Sequence, residues 1–189
     1  YATPLTVGLI TSKLKEHRLV GSTKLNTVNA GETITLGCMS VEFIRVNHSI
    51  PDAVGLAIRT PAGTIVHTGD FKIDCTPSRG EMIDLARFAE IGKEGVLAFM
   101  ADSTNAERPG YTMTERKIDQ SFERLFQKAG DKRIIIATFA SNIGRLQQII
   151  NCAAKYGKKV AFSGRSMINN VAIAQQMKYI EAPDGLIID

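Results

Sequence analysis

Two side chains near the middle of the sequence, His48 and Asp70, have the chemistry to bind a metal ion. Each follows a short strand-like run that is apolar or mixed in character: His48 comes after Val41–Val46, and Asp70 comes after Thr64–Val66. Loops that follow strands present their side chains at the edge of a rigid sheet, where a ligand has access. Imidazole nitrogen and carboxylate oxygen both suit a borderline cation such as zinc. The spacing alone also fits an exposed histidine and a turn aspartate.

The elements around these residues are predicted to be short strands. Thr60–Gly63 reads Thr-Pro-Ala-Gly and predicts a tight turn, so Val54–Arg59 and Thr64–His67 should form a hairpin. The continuous apolar run Val96–Met100 predicts a buried strand. Asp102 follows that run almost at once, where a loop aspartate bonded to its own backbone is the simplest interpretation.

The pattern of predicted secondary structure changes near residues 107–111. Beyond this point predicted strands alternate with predicted helices, a pattern typical of parallel βαβ units. The segments are a strand at Arg133–Ala137, a helix at Ile143–Tyr156, a strand at Lys159–Phe162 and a helix at Met167–Lys178. We therefore predict an α/β protein with a domain boundary at this point, dividing residues 1–107 from residues 108–189.

Composition is that of a globular protein, with 44% hydrophobic and 22% charged residues. The sequence contains no apolar run of membrane-spanning length, so we expect no membrane partner. The formal net charge of +4 permits binding to a polyanion such as RNA but does not require it. Three cysteines without a C-x-x-C pair indicate reduced thiols, which favours a cytoplasmic location.

The residues around the two candidate ligands form two specific sequence motifs. Asn-His-Ser-Ile-Pro-Asp at 47–52 and His-Thr-Gly-Asp-Phe-Lys at 67–72 resemble the third and fourth metal motifs of the metallo-β-lactamase fold. More narrowly, they resemble those of the ribonuclease J family of β-CASP nucleases. The resemblance implies part of a metallo-β-lactamase αββα sandwich over residues 1–107, followed by the first part of a β-CASP parallel βαβ domain over residues 108–189.

The same resemblance implies roles for particular residues. His48 would bind one zinc ion and Asp70 would bridge two, and Asp102, in Asp-Ser-Thr, would support the metal site without binding metal. Ser141, Asn142 and Ile143 would contact the substrate. Small and polar residues that begin a helix also favour phosphate binding on general grounds, although a simple helix cap is the plainer interpretation. Two other residues of these motifs have open roles: Asp52 either orients the His48 imidazole or closes its turn, and His67 either supports the site or packs in its strand.

The resemblance also has gaps. The family's first two motifs, which include a His-x-His-x-Asp-His string, are absent, and the only histidines are His17, His48 and His67. We therefore expect an internal fragment of a longer protein, with little zinc binding and no catalysis on its own. The family commonly has histidine where this sequence has Gly144, which would remove a contact to RNA or phosphate.

Three functions follow from the resemblance. The first is a zinc-dependent ribonuclease with 5′-to-3′ exonuclease and endonuclease activity in RNA processing and decay, with two zinc ions in each complete subunit. Such a protein would form a homo-oligomer or a hetero-oligomer with a paralogue. The second is a non-catalytic RNA-binding or scaffold paralogue, which Gly144 favours and His48 and Asp70 oppose. The third, another hydrolase such as a lactonase, is disfavoured by Asp102-Ser103-Thr104 followed by a βαβ pattern.

Overall fold

The structure is a computed structural model that describes residues 1–77 and 80–188. The described residues divide into two compact units. The first unit contains Tyr1–His48, Asp52–Cys75 and Glu81–Met113. The second contains the residues from Thr114 onward, together with Ser49–Pro51 and the described part of 76–80. Both units combine helices and strands, which confirms the predicted α/β class.

A five-stranded mixed sheet is the centre of the first unit. Its strands, in chain order, are β1 (Thr33–Leu36), β2 (Met39–Arg45), β3 (Val54–Thr60), β4 (Gly63–His67) and β5 (Ala98–Met100), and they lie side by side in that same order. The first three pairings are antiparallel, and β4 pairs with β5 in parallel. The predicted hairpin is confirmed as β3 and β4, joined by a turn in which the Thr60 hydroxyl donates to the Gly63 carbonyl at 2.9 Å.

Successive residues of β2 pack on opposite faces of this sheet, as the pleat of a strand requires. On one face Ile44, Ala57 and Val66 form a core with Ile91 of helix α2 (Leu85–Glu94). On the other face, core residues of β2 pack with Val28. Helix α2 makes the crossover between β4 and β5, which parallel neighbours require.

Helix α1 (Pro4–Glu16) begins without a capping side chain of its own, since Thr3 makes no such bond. The Asp52 carboxylate supplies the acceptor instead: its Oδ2 accepts a hydrogen bond from the Leu5 amide at 2.8 Å. A carboxylate at a helix N-terminus is favourable because it meets both an unpaired amide and the positive end of the helix dipole. Asp52 therefore attaches the connection between β2 and β3 to helix α1.

The prediction that Val96–Met100 is buried is wrong. Strand β5 is short, and Leu97, Phe99 and Met100 are 62%, 65% and 53% exposed. The reason is that β5 is the last strand of the sheet: it pairs with β4 on one side, and no described strand lies on its other side. An apolar run shows that a strand is suited to burial, but burial also requires a neighbouring element that covers the strand.

The second unit contains three helices and a two-stranded parallel sheet. The helices are α3 (Glu115–Ala129), α4 (Ile143–Lys155) and α5 (Arg165–Gln176), and the strands are β6 (Val160–Ala161) and β7 (Ile187–Ile188). The β6–α5–β7 order confirms the predicted parallel βαβ unit. Helices α3 and α4 are joined by an ion pair between Glu123 and Lys155 at 2.7 Å. None of the described helices is long and apolar enough to cross a membrane.

The predicted strand at Arg133–Ala137 is not formed. The segment shows the alternation of a strand, with Ile134 and Ile136 half-buried and Ile135 91% exposed, but it is not assigned to either sheet. Alternation reflects which side chains face inward, whereas a strand is defined by hydrogen bonding to a neighbour. Among the described residues, β6 pairs with β7 rather than with this segment.

Candidate functional site

Three loops of the first unit leave the sheet at the same edge. Because β3 runs antiparallel to both β2 and β4, and β5 runs parallel to β4, the carboxyl ends of β2, β4 and β5 lie together. His48 follows β2, Asp70 follows β4 and Asp102 follows β5. The sheet thus collects at one edge the three residues of this unit that the sequence motifs single out.

Hydrogen bonds join these loops directly. The Lys72 amide donates to the Asn47 carbonyl at 2.8 Å, which ties the residue before His48 to the segment after Asp70. The Asp102 amide donates to the Thr68 hydroxyl at 3.0 Å, which ties the residues before Asp70 to the third loop. Asp102 therefore takes part in one of these bonds, His48 directly follows a residue of the other, and Asp70 lies between Thr68 and Lys72.

Gly69 makes the sharp turn that leads into Asp70. Its φ of +62° lies in the left-handed region, and a Cβ added there would lie 2.7 Å from the Val54 carbonyl oxygen. A side chain at this position would meet both backbone strain and a backbone clash. Glycine before Asp70 is thus required by the close packing of this loop on the start of β3.

His48 and Asp70 are exposed, and Asp102 is partly exposed. The Asp102 carboxylate accepts hydrogen bonds from the Thr104 hydroxyl at 2.6 Å and from the Thr104 amide at 3.0 Å. These two bonds, the hydroxyl first, lower the pKa of Asp102, and smaller contributions come from the Phe71 amide and the nearby His48. Asp102 therefore stays ionised at neutral pH, and it is close enough to His48 to interact with it electrostatically.

The two motif residues with open roles, His67 and Asp52, have distinct contacts. The Nδ1 of His67 accepts a hydrogen bond from the Gly69 amide at 2.9 Å, which holds the ring against the turn that leads into Asp70. Its exposed ring does not pack in the strand interior. Asp52 caps helix α1, as described above, and so its carboxylate holds the loop that carries His48.

The donor set at this edge fits zinc in part. One imidazole and one carboxylate, both exposed, are suitable ligands, but zinc sites in proteins use three or four protein ligands. Within residues 1–77 and 80–188, no group of three or more His, Cys, Asp or Glu side chains is arranged to hold a metal ion. His48 and Asp70 thus fit as two members of a larger ligand set, and their assignment as metal ligands stays a prediction.

Ser141, Asn142 and Ile143 form the N-terminus of helix α4 in the second unit. Asn142 caps the helix, since its Oδ1 accepts a hydrogen bond from the Arg145 amide at 3.0 Å. Ile143 is fully buried at 0% exposure, whereas Ser141 is exposed. Their assignment as substrate contacts stays a prediction, and Ser141 is the side chain best placed to meet a ligand.

Comparisons with known proteins show what the sequence is similar to. The family model "Ribonuclease J, beta-CASP domain" matches residues 131–189. Ribonuclease J of Thermus thermophilus is 46% identical over 188 residues, which cover 98% of this chain. Ribonuclease J of Synechocystis is 44% identical and Ribonuclease J2 of Bacillus subtilis is 43% identical, each over 100% of this chain. The chain is homologous to the ribonucleases J. The resemblance seen in the sequence motifs is confirmed.

The ribonucleases J to which the chain is similar are longer proteins. The chain spans 33% of the Thermus relative, 29% of the Synechocystis relative and 34% of the Bacillus relative. A solved structure from Enterococcus faecalis, described as a protein of unknown function, superposes on the whole chain with a TM-score of 0.71 and 19% sequence identity. The chain covers 48% of that structure. The superposition supports the fold of this chain and nothing further.

Sequence reasoning missed two residues that hold the ribonuclease J motifs in place. Asn47 donates from its side chain to the Glu81 carbonyl at 2.9 Å and accepts from the Ile83 amide at 2.8 Å. Thr68 is 3% exposed and bonds to the loop of Asp102. Asn47 directly precedes His48, and Thr68 directly precedes the glycine before Asp70. This adjacency is the only signal that the sequence offers for their role.

Proposed function

We propose that the full-length protein to which these residues belong is a zinc-dependent ribonuclease. It would act as a 5′-to-3′ exonuclease and endonuclease in RNA processing and decay in the cytoplasm, with two zinc ions per complete subunit. It would assemble as a homo-oligomer or with a paralogue. The observation that carries the proposal is the placement of His48, Asp70 and Asp102 at one sheet edge in a chain homologous to ribonuclease J.

The two exposed ligands have complementary tasks in this proposal. The His48 imidazole would hold one cation through a ring nitrogen, and the two oxygens of Asp70 would each hold a different cation. When bound, the metal pair supplies a hydroxide at neutral pH and neutralises the charge that develops on the phosphate. Residues outside 1–189 would complete the ligand set. The 189-residue chain on its own would therefore be inactive.

Asp102 contributes a fixed negative charge beside His48. Hydrogen bonds from Thr104 keep this carboxylate ionised, and its charge favours cations at the sheet edge. Two carboxylates at one edge also repel a phosphodiester, so RNA would approach productively only once cations are bound. Asp102 thus supports the site without serving as a metal ligand.

The N-terminus of helix α4 is the proposed substrate contact in the second unit. A helix N-terminus carries a partial positive charge and favours phosphate, and the exposed Ser141 hydroxyl is a further donor. Asn142 and Ile143 would act through the helix terminus that they cap and bury. The overall net charge of +4 is compatible with an RNA partner.

One observation favours the alternative of a non-catalytic RNA-binding or scaffold paralogue. Apart from its chain neighbours and the adjoining backbone of its own helix, a Cβ added at Gly144 would come no closer than 3.9 Å to another heavy atom, the Oδ1 of Asn142. Packing therefore does not require glycine where the family commonly has histidine, and the exchange is compatible with relaxed function. The presence of both His48 and Asp70 opposes this alternative.

The test is Asp70→Ala in the full-length protein, assayed on 5′-monophosphate RNA with zinc content measured alongside. Metal-ion catalysis contributes several kcal/mol, and about 1.4 kcal/mol corresponds to a factor of ten in rate. We expect kcat to fall by about a hundredfold or more and zinc content to decrease. Asp131→Ala, an exposed aspartate in a turn of the second unit, is the matched control and should leave both unchanged. Unchanged cleavage by Asp70→Ala would remove Asp70 from the mechanism.

A further inference from the structure

Thr68 is a buried polar residue between strand β4 and the Gly69–Asp70 turn, and it is 3% exposed. Its hydroxyl donates to the Gly69 carbonyl at 2.7 Å and accepts from the Asp102 amide at 3.0 Å. Its own amide donates to the Met100 carbonyl at 3.0 Å, at the end of strand β5. One residue therefore holds the loop before Asp70 against the loop that carries Asp102.

The hydroxyl is the part of Thr68 that links the two loops. It lies between a carbonyl on the Asp70 side and an amide on the Asp102 side, so both loops are fixed relative to the same oxygen atom. The parallel pairing of β4 and β5 ends at His67 and Met100, and beyond those residues the hydroxyl continues the connection between the two chain segments. Loss of the hydroxyl would leave the Asp102 amide without this acceptor, and the two loops would lose the hydrogen bond that joins them beyond the ends of the strands.

We propose that Thr68 is a positioning residue that sets the placement of Asp70 relative to Asp102, and thereby the geometry of metal binding at this edge. The inference rests on the proposed metal-dependent function. Residues that orient metal ligands without touching the metal affect metal affinity and activity strongly when they are replaced. Thr68 touches neither RNA nor metal in this proposal and acts only through the two loops.

The chain offers a matched control for the loss of these hydrogen bonds. Thr60, in the turn between β3 and β4, has the same pattern: its hydroxyl donates to the Gly63 carbonyl at 2.9 Å and accepts from the Ala62 amide at 3.2 Å. That turn lies at the opposite edge of the sheet, away from His48, Asp70 and Asp102. Thr60→Val therefore removes the same kinds of bond without affecting the candidate site.

The experiment compares Thr68→Val, Thr68→Ser and Thr60→Val in the full-length protein. Zinc affinity is measured by competition with a chelator, kcat and KM are measured on 5′-monophosphate RNA, and hydrogen exchange is followed in peptides covering 101–105. Valine preserves the shape of threonine without the hydroxyl, and serine preserves the hydroxyl. We expect Thr68→Val to bind zinc about 10- to 100-fold more weakly and to lose kcat by a similar factor, with KM changed by about twofold or less. Exchange in 101–105 should become faster.

Rescue distinguishes positioning from general stability. Thr68→Ser should keep zinc affinity and kcat within about threefold of the parent protein, because it keeps the bridging oxygen. Thr60→Val should keep both even if its melting temperature falls. Equal losses in Thr60→Val and Thr68→Val, or failure of Thr68→Ser to rescue, would overturn the inference.

Asp70→Ala in the same series separates the two proposals. If Asp70→Ala is inactive while Thr68→Val matches the parent protein, the positioning role of Thr68 fails and the proposed function stands. If Asp70→Ala retains full activity and zinc, the proposed function fails, and the role of Thr68 in metal binding fails with it.

Discussion

A buried glutamate on the sheet of the first unit should contribute strongly to stability. Glu42, on strand β2, is 8% exposed, and it accepts hydrogen bonds from two arginines. Arg87 of helix α2 donates to both carboxylate oxygens, at 2.6 and 3.0 Å, and Arg59 of strand β3 donates at 2.9 Å. The carboxylate thereby joins helix α2 to the two neighbouring strands β2 and β3.

We expect Glu42→Gln to destabilise the protein by about 2–3 kcal/mol. Removing one partner of a fully buried ion pair costs about 3–5 kcal/mol. Here the cost should be smaller, because the Arg59 and Arg87 side chains are 31% and 30% exposed and water reaches them. Both arginines also keep a second partner: Arg87 contacts Glu90 at 2.7 Å, and Arg59 contacts Glu94 at 3.7 Å.

The effect should depend on pH in a defined direction. Hydrogen bonding to Arg87, the largest cause, lowers the pKa of Glu42 below its usual value of 4.5, against the opposing effect of burial. Because the folded pKa is the lower one, ionised Glu42 contributes its full stability above pH 4.5. That contribution is lost as the pH falls through the folded pKa. The difference between the parent protein and Glu42→Gln should therefore be greatest near pH 7 and shrink in acid.

Urea unfolding at a series of pH values measures this difference. Glu90→Gln is the matched control, since it removes a carboxylate from the same Arg87 at a side chain that is 61% exposed. Exposed ion pairs contribute little, so we expect a loss of about 0.5 kcal/mol or less. Equal losses in the two variants at pH 7 would refute the reasoning, as would a Glu42→Gln effect that does not change between pH 7 and pH 3.

Two further substitutions test other parts of the structure. Asn47→Ala removes the side-chain acceptor of the Ile83 amide, and Ile83 is 5% exposed, so we expect the free energy of unfolding to fall by about 1–2 kcal/mol and hydrogen exchange at 81–83 to become faster. Asn47→Asp keeps the acceptor and is the control. Unchanged exchange in the alanine variant would contradict this role of Asn47. Gly144→Ala should raise stability by about 0.5–1 kcal/mol in thermal unfolding, because the added Cβ has room and the helix gains a better residue. Gly157→Ala is the control, because a Cβ added there also has room but the backbone φ is +63°, and we expect the free energy of unfolding to fall by about 1 kcal/mol. A gain in stability at Gly157 would contradict the argument.

The sequence predicted the positions of the three motif residues better than it predicted their supports. His48, Asp70 and Asp102 are each recognisable because they follow strand-like runs within specific motifs. Thr68 and Asn47 bond to backbone groups that are distant along the chain, those of Asp102, Glu81 and Ile83. No local spacing encodes such a bond, because it depends on how the sheet brings the loops together.

The incorrect strand predictions have a related cause. The run at 96–100 and the segment at 133–137 both have residues that suit burial in a sheet, and both are partly exposed in the structure. A hydrophobic pattern is a property of one segment, whereas burial and pairing are properties of a segment and its neighbour. The hairpin of β3 and β4 was predicted correctly because its partner is local and its turn residues select the pairing.

The parallel pairing of β5 with β4 is what makes a shared site at this edge feasible. Strand β4 has five residues, and at about 3.3 Å per residue it is about 16 Å long. Had β5 entered the sheet antiparallel to β4, Asp102 would leave at the other edge, roughly that distance from Asp70. The crossover through helix α2 reverses the chain direction before β5 begins, so Asp102 emerges beside the loop of Asp70. The bond from the Asp102 amide to the Thr68 hydroxyl then holds the two loops together where the strand pairing ends.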